Sequence, residues 1–163
     1  MGRTRHGGIA PSIFALVERG VHLRPHVARE IRGKVVLRFH EGYPPVRMSF
    51  GARVIRVEDG DLRRPDLAVR GRLPDIVLMT TARMRMGMPD PTDPRGRAAL
   101  GRLALGRIRL SGDQRLARGM LELLRVDVPR GVRQGLVRGD APAGDAPADD
   151  GTRETTAWID VLT

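Results

Sequence analysis

Residues 106–124 indicate the fold most clearly and read Gly-Arg-Ile-Arg-Leu-Ser-Gly-Asp-Gln-Arg-Leu-Ala-Arg-Gly-Met-Leu-Glu-Leu-Leu. In the first half, Ile108 and Leu110 alternate with polar residues, which is typical of a strand with one buried face. From Leu116 onward, apolar residues recur at the helical spacing i, i+4, i+7 and i+8. The stretch therefore predicts a strand, then a Gly-Asp pair, then an amphipathic helix that covers a sheet. Ser111 is expected to help to cap that helix.

A period of two residues also marks the centre of the chain. Residues 34–40, 46–50 and 52–58 each alternate between apolar and polar side chains, and turns containing Gly or Pro separate them. A fourth strand is predicted at residues 67–70. Together with the strand that precedes the last helix, these runs predict a five-stranded, mainly antiparallel sheet. The arginines of the strands are expected to form its solvent-exposed face.

Helical spacing appears on both sides of these strands. Near the start of the chain it predicts a helix that stops at Gly20 and a second, short helix over residues 25–31. A third helix is predicted to begin at Pro74, directly after the fourth strand. A loop rich in Met and Pro follows at residues 84–94, and a helical patch follows near residues 97–103.

The length of 163 residues fits one domain with a single core. We divide the chain into an N-terminal helical segment, residues 1–33, an α+β domain, residues 34–128, and a tail, residues 129–163. The repeated Asp-Ala-Pro-Ala in the tail predicts a flexible linker. Its apolar end, residues 158–162, has three interpretations: a frayed end, an extra edge strand or partner-binding peptide, or a plug over the domain's own apolar opening.

The net charge of +10 is a weak indication of nucleic-acid binding. All but one of the 29 basic residues are arginine, the exception being Lys34, and such usage together with abundant Gly, Ala and Pro is typical of a high-G+C genome. Basic charge alone supplies only non-specific affinity for nucleic acid. Aromatic residues make up 3% of the chain, which leaves few rings on which bases could stack.

The sequence contains few motifs that would indicate a catalytic or metal-binding site. The chain has no cysteine, and none of its serines lies in a Gly-x-Ser-x-Gly motif. His22 and His26 lack an acidic third ligand at a useful spacing, and no phosphate-binding loop is present. Two pairs of carboxylates lie in turn-like contexts, where aspartate commonly bonds its own backbone: Asp59 with Asp61, and Asp90 with Asp93. We therefore predict a protein that is not an enzyme, with no catalytic residue, metal site or cofactor.

Targeting and membrane-spanning patterns are also weak. The apolar stretch at residues 9–17 is interrupted and lacks a cleavage site of small residues. No segment approaches the roughly 20 apolar residues that a membrane span requires. The expected location is cytoplasmic.

The order of elements resembles the sterol carrier protein 2 (SCP2-like) domain family. The resemblance rests on the run 46–66, with a hairpin at Asp59-Gly60 and the pair Pro65-Asp66 before a strand, on residues 73–75 opening a helix, and above all on residues 106–124. It extends roughly over residues 35–126. The chain resembles the stand-alone bacterial members of the family.

The resemblance implies an α+β domain in which a five-stranded, mainly antiparallel sheet is covered by helices on one face and encloses an apolar tunnel. In the family this tunnel holds lipids such as sterols, fatty acids, acyl chains or isoprenoids. Family members act as stand-alone carriers, as accessory proteins in quinone synthesis or as appended domains.

A lipid carrier requires a gap between helices and sheet that is lined by adaptable apolar side chains. Four of the seven methionines lie within ten residues, around the third helix and its loop, and methionine repacks easily around ligands of different shape. The predicted ligand-binding residues are Phe39, Phe50, Ile76, Met79, Thr80, Met84, Met88, Met120 and Leu124. Ordinary core packing is the alternative for each.

The sequence thus predicts non-enzymatic binding or transfer of a hydrophobic small molecule. The first alternative is an accessory or scaffold subunit of a lipid- or quinone-related enzyme complex, and the second is non-specific nucleic-acid binding. The predicted partners are a hydrophobic ligand and, at the periphery, an acidic membrane or a partner enzyme.

Overall fold

The computed structural model describes residues 8–86, 88–126 and 157–161. Its helices are α1 (Ala10–Leu23), α2 (Pro25–Glu30), α3 (Leu73–Thr81), α4 (Pro94–Ala104) and α5 (Gln114–Leu124). Its strands are β1 (Gly33–Phe39), β2 (Val46–Phe50), β3 (Val54–Asp59), β4 (Leu67–Gly71), β5 (Met84–Arg85), β6 (Met88–Pro89), β7 (Ile108–Gly112) and β8 (Ala157–Asp160).

Six strands form the main sheet, in the order β7-β4-β1-β2-β3-β8. Strands β1 and β4 run parallel, and every other neighbouring pair is antiparallel. The prediction of a mainly antiparallel sheet is confirmed, and all five predicted strands belong to it. The predicted count is corrected from five to six, because the C-terminal segment adds β8 beside β3. The predicted loop at residues 84–94 contains a separate hairpin of β5 and β6.

One face of the sheet carries the core. Inward residues lie beside one another across the strands, as Leu37, Val69 and Leu110 do in β1, β4 and β7. Each of the five helices places buried side chains in the same core as this face of the sheet. The architecture is therefore α+β, with the helices on one face as predicted.

The opposite face of the sheet carries the arginines, as the alternation predicts. Arg70 and Arg109 are exposed there, whereas Arg38 and Arg47 are half-buried. Val36 shares this face and is nevertheless fully buried. Its cross-strand neighbours are Arg47 and Ala68. The long apolar stem of an arginine can cover such a side chain while its charged end stays in water.

Gly20 does not end the first helix, because α1 continues to Leu23. It is buried where α1 crosses α5, and a Cβ atom at this position would collide with the main-chain carbonyl oxygen of Leu123. The glycine therefore permits two helices to approach closely. A glycine required for packing and a glycine that stops a helix look the same in the sequence.

The cap of α5 also differs from the expectation. Asp113 directly precedes the helix, and its Oδ1 accepts hydrogen bonds from the main-chain N–H groups of Arg115 at 2.7 Å and Leu116 at 3.3 Å. Ser111 lies in β7, two residues too early to reach these donors. The predicted capping role of Ser111 was therefore wrong, and Asp113 performs it.

Residues 157–161 extend the sheet at its far edge. Ile159 and Val161 are buried in the core, at 7% and 2% exposure, whereas Trp158 points to the opposite face and is 68% exposed. Of the three interpretations of this segment, the edge strand is the one that the structure shows. The predicted linker between residues 129 and 156 lies outside the described residues, and the division of the chain at residues 33 and 128 stays a prediction.

The alternation in β8 predicts unequal effects of two adjacent substitutions. Ile159→Ala is expected to lower the free energy of unfolding by about 2 kcal/mol, because it removes a buried side chain from the core. The control Trp158→Ala is expected to change it by less than about 0.5 kcal/mol, because the indole is mostly in water. Urea unfolding of both variants measures the difference. Equal effects would show that β8 does not dock in this register.

Candidate functional site

An apolar cleft lies between the inner face of the sheet, at β1, β4 and β7, and the helices α1, α3 and α5. It is lined by Ile13, Leu16, Leu37, Val69, Leu73, Ile76, Val77, Met79, Thr80, Ile108, Leu110, Met120, Leu121 and Leu124. Strand β8 lies at the other edge of the sheet and does not line the cleft. Residues 157–161 therefore do not plug it.

The cleft is narrow. Its volume is about 30 Å³, which is room for about two water molecules. Pockets that hold small organic ligands commonly measure about 300 to 1,000 Å³, roughly ten times as much or more. As the described residues form it, this cleft is thus too small to be an open tunnel.

The walls of the cleft present almost no polar group. Thr80 is the one lining residue with a polar side chain. Its hydroxyl donates a hydrogen bond of 2.8 Å to the carbonyl oxygen of Val77, one turn earlier in α3. A molecule inside the cleft would therefore meet hydrocarbon on every side and one hydroxyl that already has a partner.

The rim of the cleft is formed by apolar residues that reach water. Leu110 in edge strand β7 is 38% exposed, and Val77 on α3 is 44% exposed. Both also line the cleft. They mark the side from which an apolar molecule could enter between the edge of the sheet and α3.

Helix α3, which forms one wall, is held in place by three contacts. At its start, the main-chain N–H of Leu73 donates to Oε1 of Glu41 at 2.9 Å. In its first turn, Asp75 accepts from Nε of Arg102 in α4 at 2.5 Å. Near its end, the carbonyl oxygen of Thr80 accepts from the N–H of Val126 at 2.8 Å. These contacts resist a displacement of the whole helix.

Five of the nine predicted ligand-binding residues lie together in the cleft: Ile76, Met79, Thr80, Met120 and Leu124. Phe39 and Phe50 are buried in the core but do not line the cleft. Met84 and Met88 lie in the hairpin of β5 and β6, where Met84 is half-buried and Met88 is 55% exposed. The structure thus brings five of these side chains together and places four elsewhere.

Several lining residues are absent from the predicted set. Ile108 and Leu110 are the apolar positions of the predicted strand, yet of this strand and the helix that follows it, the prediction places only the helix at the cleft. Because β7 is an edge strand beside β4, its inward residues border the gap under α5. The alternation in β7 was the signal that could have identified them.

Three of the four carboxylates in the acidic pairs have structural roles, whereas Asp59 is the last residue of strand β3. Oδ1 of Asp90 accepts hydrogen bonds from the N–H of Thr92 at 2.9 Å and from its hydroxyl at 2.7 Å, and these bonds lower the pKa of Asp90. Asp93 caps α4 by accepting from the N–H of Gly96 at 3.0 Å. Asp61 accepts hydrogen bonds from Arg38, which lower its pKa.

No group of three or more metal-ligating side chains is found within residues 8–86, 88–126 and 157–161. Over the same residues, no helix is both long and apolar enough to cross a membrane.

A second, wider groove of about 340 Å³ lies between α2 and α5, and its lining carries charged residues of both signs, among them Glu30 and Arg32. Its lining is thus more polar than that of the cleft.

Comparisons with known proteins reveal similarity only at the level of structure. No family model and no curated protein matches the chain. A solved structure described as a UbiJ-SCP2 ubiquinone synthesis protein is 14% identical, with a TM-score of 0.49, over 71% of this chain and 89% of the other.

Two insect structures are also similar. The sterol carrier protein domain 2 of Helicoverpa armigera is 15% identical over 78% of this chain and 98% of its own, with a TM-score of 0.49. Sterol Carrier Protein 2 Like 2 of Aedes aegypti is 22% identical over 71% and 98%, with a TM-score of 0.39. Likeness of this degree concerns the fold and carries no information on ligand or activity. These similar structures are SCP2-domain proteins, the family that the sequence pattern resembles.

Proposed function

We propose that the protein is a non-enzymatic carrier of a hydrophobic small molecule, whose hydrocarbon part enters the apolar cleft. The observation that carries this proposal is the chemistry of the walls: thirteen apolar side chains and one hydroxyl that is already hydrogen-bonded. Ile76, Met79, Thr80, Met120 and Leu124 are the proposed contacts from the predicted set. Leu110 and Val77 form the proposed entrance.

Binding requires the cleft to enlarge, because about 30 Å³ does not hold an acyl or isoprenoid chain. Since α3 is held at both ends, we propose that the walls enlarge mainly by rotation of flexible side chains. Met79 and Met120 lie on facing helices and are unbranched, so they can repack at low energetic cost. The proposed tunnel is thus the ligand-bound form of the cleft.

The energetics of burial favour such an enlargement. Each methylene group removed from water contributes about 0.8 kcal/mol, so a chain of about ten contributes about 8 kcal/mol. This amount corresponds to micromolar affinity before the cost of rearranging the walls is subtracted. This free energy is what a hydrocarbon of that length has available to offset the cost of rearranging the walls and of association.

The second candidate function is an accessory or scaffold subunit, for which the small volume of the cleft is the favourable observation. A core that stays filled would leave only the surfaces of the domain for interaction with an enzyme complex. The two candidates differ in whether the purified protein takes up hydrocarbon.

Uptake is tested with the full chain. Mass spectrometry of organic extracts from natively purified protein is expected to detect a bound lipid or isoprenoid. After delipidation, titration with the fluorescent fatty acid cis-parinaric acid is expected to show saturable binding at about micromolar concentration. Absence of both extracted ligand and probe binding, together with a stoichiometric co-purifying enzyme, would establish the scaffold function instead.

A further inference from the structure

Three arginines stand side by side on the outer face of the sheet. Arg38 in β1 lies opposite Arg70 in β4, and Arg70 lies opposite Arg109 in β7. We call these three residues the arginine row. Since neighbouring strands are about 4.8 Å apart, the row spans only about 10 Å at the backbone. Like charges directly opposite each other on neighbouring strands destabilise a sheet. The stability of the fold therefore gives no reason for three adjacent arginines.

The row has little counter-charge in the described part of the chain. Arg38 donates from Nε at 3.0 Å and from Nη2 at 2.7 Å to Oδ1 of Asp61. The charge of Arg70 also acts on this carboxylate and, with Arg38, lowers its pKa. Arg70 and Arg109 are exposed and have no ion pair among the described residues. One carboxylate thus acts on two of the three guanidinium groups, and Arg109 has no acidic partner among the described residues.

The same face continues as a basic surface with one aromatic residue at its edge. Lys34 and Arg56 are exposed on it, and Arg47 is paired with Glu58 at 2.8 Å. Trp158 lies opposite Arg56 in the adjacent strand and is 68% exposed. The outer face therefore combines excess positive charge with a large, amphipathic ring.

The arginine row borders the entrance of the cleft. Arg109 directly precedes Leu110 in β7, and the alternation of the strand turns the arginine to the outer face and the leucine to the rim. Positive charge and exposed apolar surface thus meet along one edge strand. A surface that carries both negative charge and hydrocarbon would interact favourably with the arginines and with the exposed apolar side chains.

We propose that the arginine row, with the outer face around it, docks the protein on a lipid surface that carries anionic headgroups. The choice of a lipid surface over other polyanions rests on the proposed carrier function, because the β7 edge of this face borders the entrance through which cargo would pass. Arginines near an acidic membrane are attracted to it, and tryptophan is the residue that favours the membrane–water interface. Nucleic acid fits less well, because Trp158 is the one exposed aromatic ring on this face and base stacking requires several.

The experiment measures sedimentation of the full chain with vesicles, without any cargo. We expect the wild type to bind vesicles of phosphatidylcholine mixed with phosphatidylglycerol and to bind pure phosphatidylcholine much less. The variant Arg70→Gln/Arg109→Gln is expected to lose about 30-fold in partition coefficient, since each arginine near an acidic surface contributes about fivefold. Arg70→Lys/Arg109→Lys keeps the charge and is expected to retain most of the binding.

The matched control removes the same charge from the helical layer. Arg95 and Arg97 lie on α4 and are exposed, so Arg95→Gln/Arg97→Gln is expected to lower the partition coefficient by less than about threefold. Equal losses in the two glutamine variants, or equal binding of wild type to both kinds of vesicle, would overturn the proposal. So would failure to bind vesicles combined with row-dependent binding of a DNA oligonucleotide at the same ionic strength. Probe uptake by dissolved protein is measured separately, so the carrier function can stand if the docking surface fails.

Discussion

Replacing Gly20 with alanine is expected to destabilise the protein strongly, lowering the free energy of unfolding by about 3 kcal/mol. The added Cβ would clash with the Leu123 carbonyl oxygen, which is main chain in α5 and cannot rotate away. Helices α1 and α5 would have to separate along their crossing. Both helices line the cleft, through Ile13 and Leu16 on one side and Met120 on the other, so the same change is expected to weaken probe binding.

Gly101→Ala provides the matched control within α4. A Cβ at Gly101 would meet no atom within 4 Å beyond its chain neighbours and its own helix backbone, and alanine favours a helix over glycine by up to about 1 kcal/mol. This variant is therefore expected to be slightly more stable than the wild type. Urea unfolding followed by circular dichroism measures both variants. A shift of the same sign and size in the two would show that the crossing of α1 and α5 tolerates a side chain at residue 20.

The strands of the main sheet were predictable because their inner and outer faces differ strongly in polarity. In β1, β2 and β7 the apolar and basic residues alternate, and the pairing in the structure follows this alternation. The start of α5 was equally clear from the Gly-Asp pair before it, although the cap is Asp113 and not the predicted Ser111. Local chemistry determines these elements, so one sequence is enough to find them.

Other elements depend on distant parts of the chain. Strand β8 exists because Ile159 and Val161 find apolar space beside β3, about a hundred residues earlier in the sequence. No local feature of residues 157–161 distinguishes an edge strand from a frayed end. For the same reason Gly20 was interpreted as a helix stop, since the close approach of α5 that requires it is a tertiary contact.

The candidate site was predictable where it lies on helices. Met79 and Met120 have the spacing of inward positions on α3 and α5, and both reach the cleft. The density of methionine in the sequence was a poorer guide. Met84 and Met88 follow α3 closely, but they belong to a hairpin that does not border the cleft. Residues that are close to α3 in the sequence therefore do not all lie close to the cleft in the structure.

Replacing Leu110 with aspartate is expected to weaken binding of cis-parinaric acid by about 100-fold. The leucine contributes apolar surface at the rim, and losing it together with placing a carboxylate against hydrocarbon is expected to cost about 3 kcal/mol in binding. The free protein is expected to lose less than about 1 kcal/mol of stability, because the side chain is 38% exposed and a carboxylate there can turn to water. Fluorescence titration measures the affinity, and urea unfolding measures the stability.

The control is Leu105→Asp, directly after α4. Leu105 is 74% exposed and does not line the cleft, so the same change of charge is expected to alter probe affinity by less than about twofold. Leu110→Asn, which is polar but uncharged, is expected to bind with intermediate affinity because it removes the apolar contact without adding a charge. If the two aspartate variants bind the probe as tightly as the wild type, the hydrocarbon enters elsewhere. In that case a carrier function would require an entrance to the cleft away from β7. The arginine row would then no longer lie beside the path that the ligand takes into the cleft.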